Sequence, residues 1–120
     1  PVYDNVVVEV GKSFSELKSK LYLKGFKDLI FDPGFGFGKT TKQNFELLNN
    51  LEHFSFLDTP ILVGISRKSM IWKTLETSAQ EALNGTTALN TVALMKNANI
   101  LRVHDVKEAV ECVKLHHLII

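Results

Sequence analysis

The five residues Ile61-Leu62-Val63-Gly64-Ile65 run without a polar interruption between Pro60 and Ser66. A strand lacking polar alternation is covered on both faces, and that belongs to parallel sheets whose crossover helices lie above and below. The flanking sequence supplies such helices. Residues 3–24 place Val6, Val7, Val10, Phe14, Leu17 and Leu21 at helical spacing, with Asp4 or Asn5 as a cap and Gly25 at the end. A short strand over 28–31 ends in Asp32-Pro33-Gly34, and a helix over 41–53 puts Phe45, Leu48 and Leu51 on one face. After the 61–65 strand come a short helix over 69–76, an interruption at Asn84-Gly85, a helix over 86–96 and a third strand over 99–104. Asp105, with Glu108 three places on, reads as a capping signal for a last helix to about residue 117. The order α-β-α-β-α-β-α predicts an α/β fold of three parallel strands joined by helices. Three such strands leave two edges of unpaired backbone groups, so the sheet is expected to be incomplete on its own. The strand–helix repeat of roughly 35 residues suits a piece of a (β/α)8 barrel.

Composition narrows the function by exclusion. A formal net charge of +1 gives no electrostatic case for nucleic acid or an acidic membrane surface. No apolar run is long enough to cross a bilayer. The single Cys112 has no partner for an internal disulfide, and no zinc-type Cys/His spacing accompanies it. That predicts a reducing, cytoplasmic setting and an inert helix thiol. His53, His116 and His117 fall near helix ends, and Trp72 and Met95 sit at core-like helical spacing. The chain opens on Pro1 and is expected to be a portion of a longer protein.

In barrels and open α/β sheets alike, ligand sites form at the carboxyl ends of the strands. Each predicted strand here ends in polar or charged groups. The first ends in Asp32-Pro33-Gly34-Phe35-Gly36-Phe37-Gly38-Lys39-Thr40, whose last letters imitate a phosphate-binding loop. The imitation fails on spacing: G-x-x-x-x-G-K-[ST] needs its first glycine at position 33, which is Pro33. A carboxylate at the strand tip repels phosphate and suits a ligand that presents two N–H donors, unless Asp32 simply closes an Asx-turn. The glycines let the loop bend while Phe35 and Phe37 pack inward or cover a flat ligand. Ser66-Arg67-Lys68-Ser69 combines basic groups with a helix start, a setting for an anion or for ordinary capping. Arg102 and His104 alternate on a strand, so both point away from Val103. An arginine fork beside an imidazole suits a phosphate or diphosphate; the alternative is an ion pair of Arg102 with Asp105.

Taken in order, Asp32-Pro33-Gly34-Phe35-Gly36-Phe37-Gly38-Lys39, Ser66-Arg67-Lys68-Ser69 and Arg102-Val103-His104-Asp105 resemble the last three barrel-strand signatures of dihydropteroate synthase. The intervening helices and the Asn84-Gly85-Thr86 junction agree, and the resemblance covers essentially the whole chain. It implies that residues 1–120 are a single partial domain, the C-terminal half of a pterin-binding (β/α)8 barrel. It also implies a transferase of folate synthesis. That enzyme joins 4-aminobenzoate to 6-hydroxymethyl-7,8-dihydropterin diphosphate and releases pyrophosphate. By the same resemblance Asp32 holds the amino-pyrimidine edge of the pterin and Lys68 lies against its ring. Phe37 and Ser69 receive the aminobenzoate, with Gly36 among the substrate-binding residues, and Arg67 frames the pocket. Arg102 and His104 bind the diphosphate and share the catalytic role with Lys68. Magnesium is implied as cofactor with its ligands outside this chain, and a homodimer is implied as the assembly. The counterpart of the first five strands is missing, so the chain alone is expected to be inactive and to bind pterin weakly at best. Two other readings stay open: a pterin-binding methyltransferase, which has no diphosphate to expel, and a non-catalytic scaffold built on the same barrel.

Overall fold

Helices begin where short polar side chains can take up the first free N–H groups. The computed structural model describes residues 5–36 and 38–120. Asn5 caps α1 (Val6–Leu23), its side chain accepting from the N–H groups of Val7 and Val8. Thr40 caps α2 (Thr41–Asn49), and with Gln43 it makes a reciprocal capping box. A 3-10 segment, Leu51–Leu57, carries the chain to β1 (Leu62–Val63), then α3 (Ser69–Trp72) and a 3-10 turn at Ala79–Glu81. The chain continues through α4 (Leu83–Met95), β2 (Ile100–Leu101) and α5 (Val106–Ile119).

β1 pairs with β2 in parallel, with Leu62 opposite Ile100 and Val63 opposite Leu101. On the other edge Phe31 makes a parallel bridge to Ile61. The three expected segments therefore lie side by side in the expected sense, with residues 61–63 in the middle. Ile61, Val63 and Ile65 are all buried, as a strand covered on both faces requires. Phe31 links this sheet to the helices. Its ring centroid lies 4.4 Å from that of Phe14 in α1 and 5.0 Å from that of Phe54 in the 3-10 segment. Leu47, Leu48 and Leu51 complete this layer, and Met70, Ile71, Ala82 and Ala93 continue it below α3 and α4.

Several boundaries differ from the sequence expectation. The first strand shrinks to the bridge at Phe31, and β2 stops at Leu101 rather than 104. Both segments lie at outer edges of the pairing, where, among the described residues, regular geometry has no neighbour to enforce it. The helix expected over 41–53 tightens to 3-10 geometry after Asn50, and the helix expected over 69–76 ends at Trp72. Leu17 of the expected apolar stripe is half exposed, and Met95 is exposed rather than in the core. Asp105 does not cap α5 with its side chain, because Arg67 holds that carboxylate. Tyr3, Asp4 and Phe37 lie outside the described residues.

Asn84-Gly85 does not interrupt the chain but lies in the first turn of α4. The glycine is there for contact. A Cβ at Gly85 would lie 2.5 Å from Ile71 Cγ2 and 3.1 Å from Leu75 Cδ1. Ile71 is buried and its methyl is fixed close to the backbone of α3, so it has no room to withdraw. Gly85→Ala is expected to lose about 1–2 kcal/mol of stability, overpacking outweighing the gain in helix propensity. A chemical-denaturation midpoint at or above that of the parent protein would contradict the packing.

Candidate functional site

The parallel pairing brings Asp32, residues 66–69 and residues 102–104 to the same end of the sheet. Asp32 Oδ1 accepts the N–H of Gly34 at 2.9 Å, which is the Asx-turn. Gly34, Gly36 and Gly38 all have positive φ, at 75°, 95° and 65°, so the alternating glycines are what let this loop fold back. Phe35 is the inward ring, 1 % exposed. Gly36 is fixed from below: its N–H donates to Asn44 Oδ1 at 2.8 Å, while Asn44 Nδ2 donates to Thr40 O at 3.1 Å.

Two lysines close around this loop. Lys39 Nζ donates to the Gly34 carbonyl, and Lys68 Nζ donates across from the β1 end to the Phe35 carbonyl at 2.7 Å. Burial pushes both ammonium groups below the ordinary lysine range, and the Asp32 carboxylate opposes that shift in each. Arg102 and Lys39 lower Lys68 further. Lys68 therefore lies electrostatically between the carboxylate at one strand end and the guanidinium at another.

Gly64, Ser66, Lys68, Arg102, Val103 and His104 line one small cleft. Arg102 lies over the strand at Gly64, where a Cβ would come within 3.0 Å of its Nη2 and 3.1 Å of its Nε. Ser66 is buried, with its Oγ 3.2 Å from His104 Nδ1, and it also accepts the His104 N–H at 3.2 Å. Val103 lines the same cleft as Arg102 and His104, contrary to strand alternation, because β2 has already ended at Leu101. Asp105 is paired with Arg67 and not with Arg102. That hydrogen-bonded pair raises the Arg67 pKa and holds the Asp105 carboxyl below its usual range. Ser69 opens α3 and is exposed.

A larger cavity of ≈ 470 Å³ lies elsewhere, between α1 and the 3-10 segment around Phe54 and Phe56. Its lining is mostly apolar but also includes Lys12, Glu16 and His53, and it has none of the strand-end groups, so volume alone does not locate the chemistry. Among the described residues no three His, Cys, Asp or Glu side chains gather as a metal cluster. None of the described helices is long and apolar enough to cross a membrane. Sequence reasoning missed Lys39, Asn44 and Gly64. Gly64 had a signal, since a glycine inside an apolar strand marks close approach of another group. Asn44 had none, because a polar residue in a helix is normally solvated.

A parallel α/β chain that gathers ionic side chains at the carboxyl ends of its strands has the layout of the ligand-binding α/β enzymes. Residues 1–104 match the family described as pterin binding enzyme, and the chain belongs to that family. It is 44 % identical over 117 residues to the dihydropteroate synthase of Escherichia coli strain K12, covering 96 % of this chain and 42 % of that protein. The Clostridium beijerinckii dihydropteroate synthase is 40 % identical over 121 residues, with 98 % and 45 % covered. The Yersinia pestis dihydropteroate synthase structure superposes with a TM-score of 0.95 at 37 % identity, over 98 % of this chain and 49 % of that one. A Xanthomonas albilineans dihydropteroate synthase, solved with 7,8-dihydropteroate, gives 0.95 at 35 % identity over 99 % and 47 %. The same enzyme has been solved with 4-aminobenzoic acid. The chain thus spans less than half the length of each of these relatives.

Gly64→Ala is expected to displace the Arg102 guanidinium and to cost about 1 kcal/mol of stability, since the new methyl would press on that side chain at 3.0 Å. A chemical-denaturation midpoint equal to that of the parent protein would show that Arg102 needs no such seat.

Proposed function

We propose that this chain supplies the carboxyl-terminal part of a dihydropteroate synthase site, contributing the last three strands of a (β/α)8 barrel as one partial domain. The observation that carries this is the placement of Asp32 and the Arg102–His104 pair at separate strand ends, with Lys68 lining the Arg102–His104 cleft and reaching the Asp32 loop at Phe35. Asp32 receives the N–H-rich edge of the pterin, and Lys68 lies against the ring. Arg102 and His104 take the diphosphate, Phe37 and Ser69 receive 4-aminobenzoate, and Gly36 is among the substrate-binding residues. Arg67 frames the pocket. The relatives solved with 7,8-dihydropteroate and with 4-aminobenzoic acid support the same substrates here.

The chemistry follows from those placements. The C–O bond between the pterin methylene and the diphosphate breaks, and its electron pair leaves with pyrophosphate. The pterin ring delocalises the positive charge left on the methylene. The aminobenzoate nitrogen bonds to that carbon and then loses a proton. The protein's part is to hold the partners in line and to stabilise the departing anion, for which Lys68, Arg102 and His104 suffice without a nucleophile. A pterin methyltransferase would share Asp32 but has no anion to expel at Arg102 and His104. Magnesium belongs to the implied enzyme. The described residues offer it no carboxylate cluster, so no step is assigned to it through this chain. The complete enzyme is read as a cytoplasmic homodimer, a setting in which the lone Cys112 stays reduced. By itself the chain is read as inactive, because the remainder of the pocket falls in the part of its relatives that it does not span.

The test is dihydropteroate synthesis by the complete enzyme. Lys68→Ala and Arg102→Ala are each expected to lose about 100-fold in kcat/KM for the pterin diphosphate. Two active variants with unchanged substrate dependence would overturn the assignment.

A further inference from the structure

We propose that Arg67 is a positioning residue that holds the pterin side and the diphosphate side of the site at a fixed spacing, and that it grips neither substrate itself. This deepens the function proposed above and rests on it. Arg67 stands between Ser66 and Lys68 with φ at 53°, in the left-handed region that residues other than glycine enter at a cost. Its bonds to other segments of the chain hold it there. The backbone N–H donates at 3.0 Å to Thr86 Oγ1, on the buried face of α4. Nε and Nη2 donate to the two oxygens of Asp105, at 2.9 and 3.0 Å. Nη1 donates to the carbonyls of Ala79 and Gln80, each at 2.7 Å. Four of the five guanidinium N–H groups are thereby engaged by the protein. A diphosphate would find little of the fork left to bind.

The register shows what the clamp does. β1 and β2 pair Val63 with Leu101, and backbone pairing stops there. The same offset then continues in side chains. Ser66 meets His104 and Arg67 meets Asp105, both 38 positions apart like Val63 and Leu101. Two consecutive side-chain pairs thus extend the alignment of the strands beyond the end of the sheet. The left-handed turn at Arg67 sends its neighbours to different partners. Ser66 goes to His104, and Lys68 crosses to the Phe35 carbonyl in the Asp32 loop. One residue therefore governs both where His104 stands and where Lys68 points. Ser69 is anchored separately by the buried Met70 and Ile71 of α3, and the Gly34–Gly36 loop by Lys39 and Asn44.

The experiment uses Arg67→Gly, which accepts the left-handed φ without the clamp, and Asp105→Asn, which removes the ion pair at constant shape. Both are made in the complete enzyme, and circular dichroism checks that each folds. Each is expected to weaken inorganic pyrophosphate binding and raise KM for the pterin diphosphate about tenfold, with KM for 4-aminobenzoate within about twofold. The double variant should be no worse than the worse single one, since both break the same link. Wild-type pyrophosphate affinity in Arg67→Gly would overturn the proposal. So would additive losses in the double variant, which would make Arg67 a direct ligand. A parent enzyme that neither binds pyrophosphate nor makes dihydropteroate would overturn the proposed function, and this inference with it.

Discussion

The three strand ends at the site are aligned by one short stretch of backbone, residues 60–63, which is hydrogen-bonded on both edges. On one side Phe31 donates to the Pro60 carbonyl and accepts from the Leu62 N–H, both at 2.8 Å. On the other, Asn99 and Ile100 donate to the Ile61 carbonyl, and Arg102 donates to that of Val63 at 2.9 Å. These bonds align three chain segments so that Asp32, Ser66 and Arg102 emerge together. A slip of one residue in either pairing would turn the slipped segment's side chains to the opposite face and break up the constellation. The apolar layer makes such a slip costly. Phe31 is wedged between Phe14 and Phe54, and burying one such ring is worth about 2–3 kcal/mol.

On this frame the charges are spread unevenly, with Lys39 and Lys68 both drawn onto the Asp32 loop. Asp32 stands at one strand end, and Arg102 with His104 at the end of another strand, with the middle strand between them. Lys68 reaches from that middle strand toward the carboxylate, partly buried, in the field of two other cations. A ligand that is rich in N–H donors at one end and anionic at the other satisfies both halves. A ligand that is anionic throughout does not, because Asp32 repels it. This polarity carries more functional information than any one motif. It also explains why a loop spelled like a nucleotide cradle is not one: its backbone amides serve the protein's own turns, Gly34 bonding to Asp32 and Gly36 to Asn44.

The order of elements and the placement of the three strand ends were legible because they follow from apolar periodicity and from where it stops. The middle strand was the clearest, and it is also the one held on both edges. The ends of the outer segments were not legible, since what shortens them is the absence of a paired neighbour among the described residues. Asn84-Gly85 misled for a related reason. A glycine read locally is a breaker, and here it is a contact surface for Ile71. Asp105 looked like a cap for α5 and a possible partner for Arg102. Its actual partner, Arg67, lies 38 positions away and is reached only through a left-handed turn that no local pattern announces. Lys39, spelled like the lysine of a phosphate-binding loop, folds back over the Asp32 loop. The DPGFGF loop was recognisable as a site by its letters, but its Asx-turn and its tethers to Lys39, Asn44 and Lys68 emerge only in three dimensions.

The division of labour between the strand ends is tested most directly by a crossed binding experiment on the complete enzyme. Two probes are titrated, 6-hydroxymethyl-7,8-dihydropterin without its diphosphate and inorganic pyrophosphate, against Asp32→Asn and Arg102→Ala. Asp32→Asn is expected to lose the pterin and keep pyrophosphate, while Arg102→Ala is expected to lose pyrophosphate and keep the pterin. Loss of pyrophosphate in Asp32→Asn, or an unchanged pterin affinity there, would contradict that division.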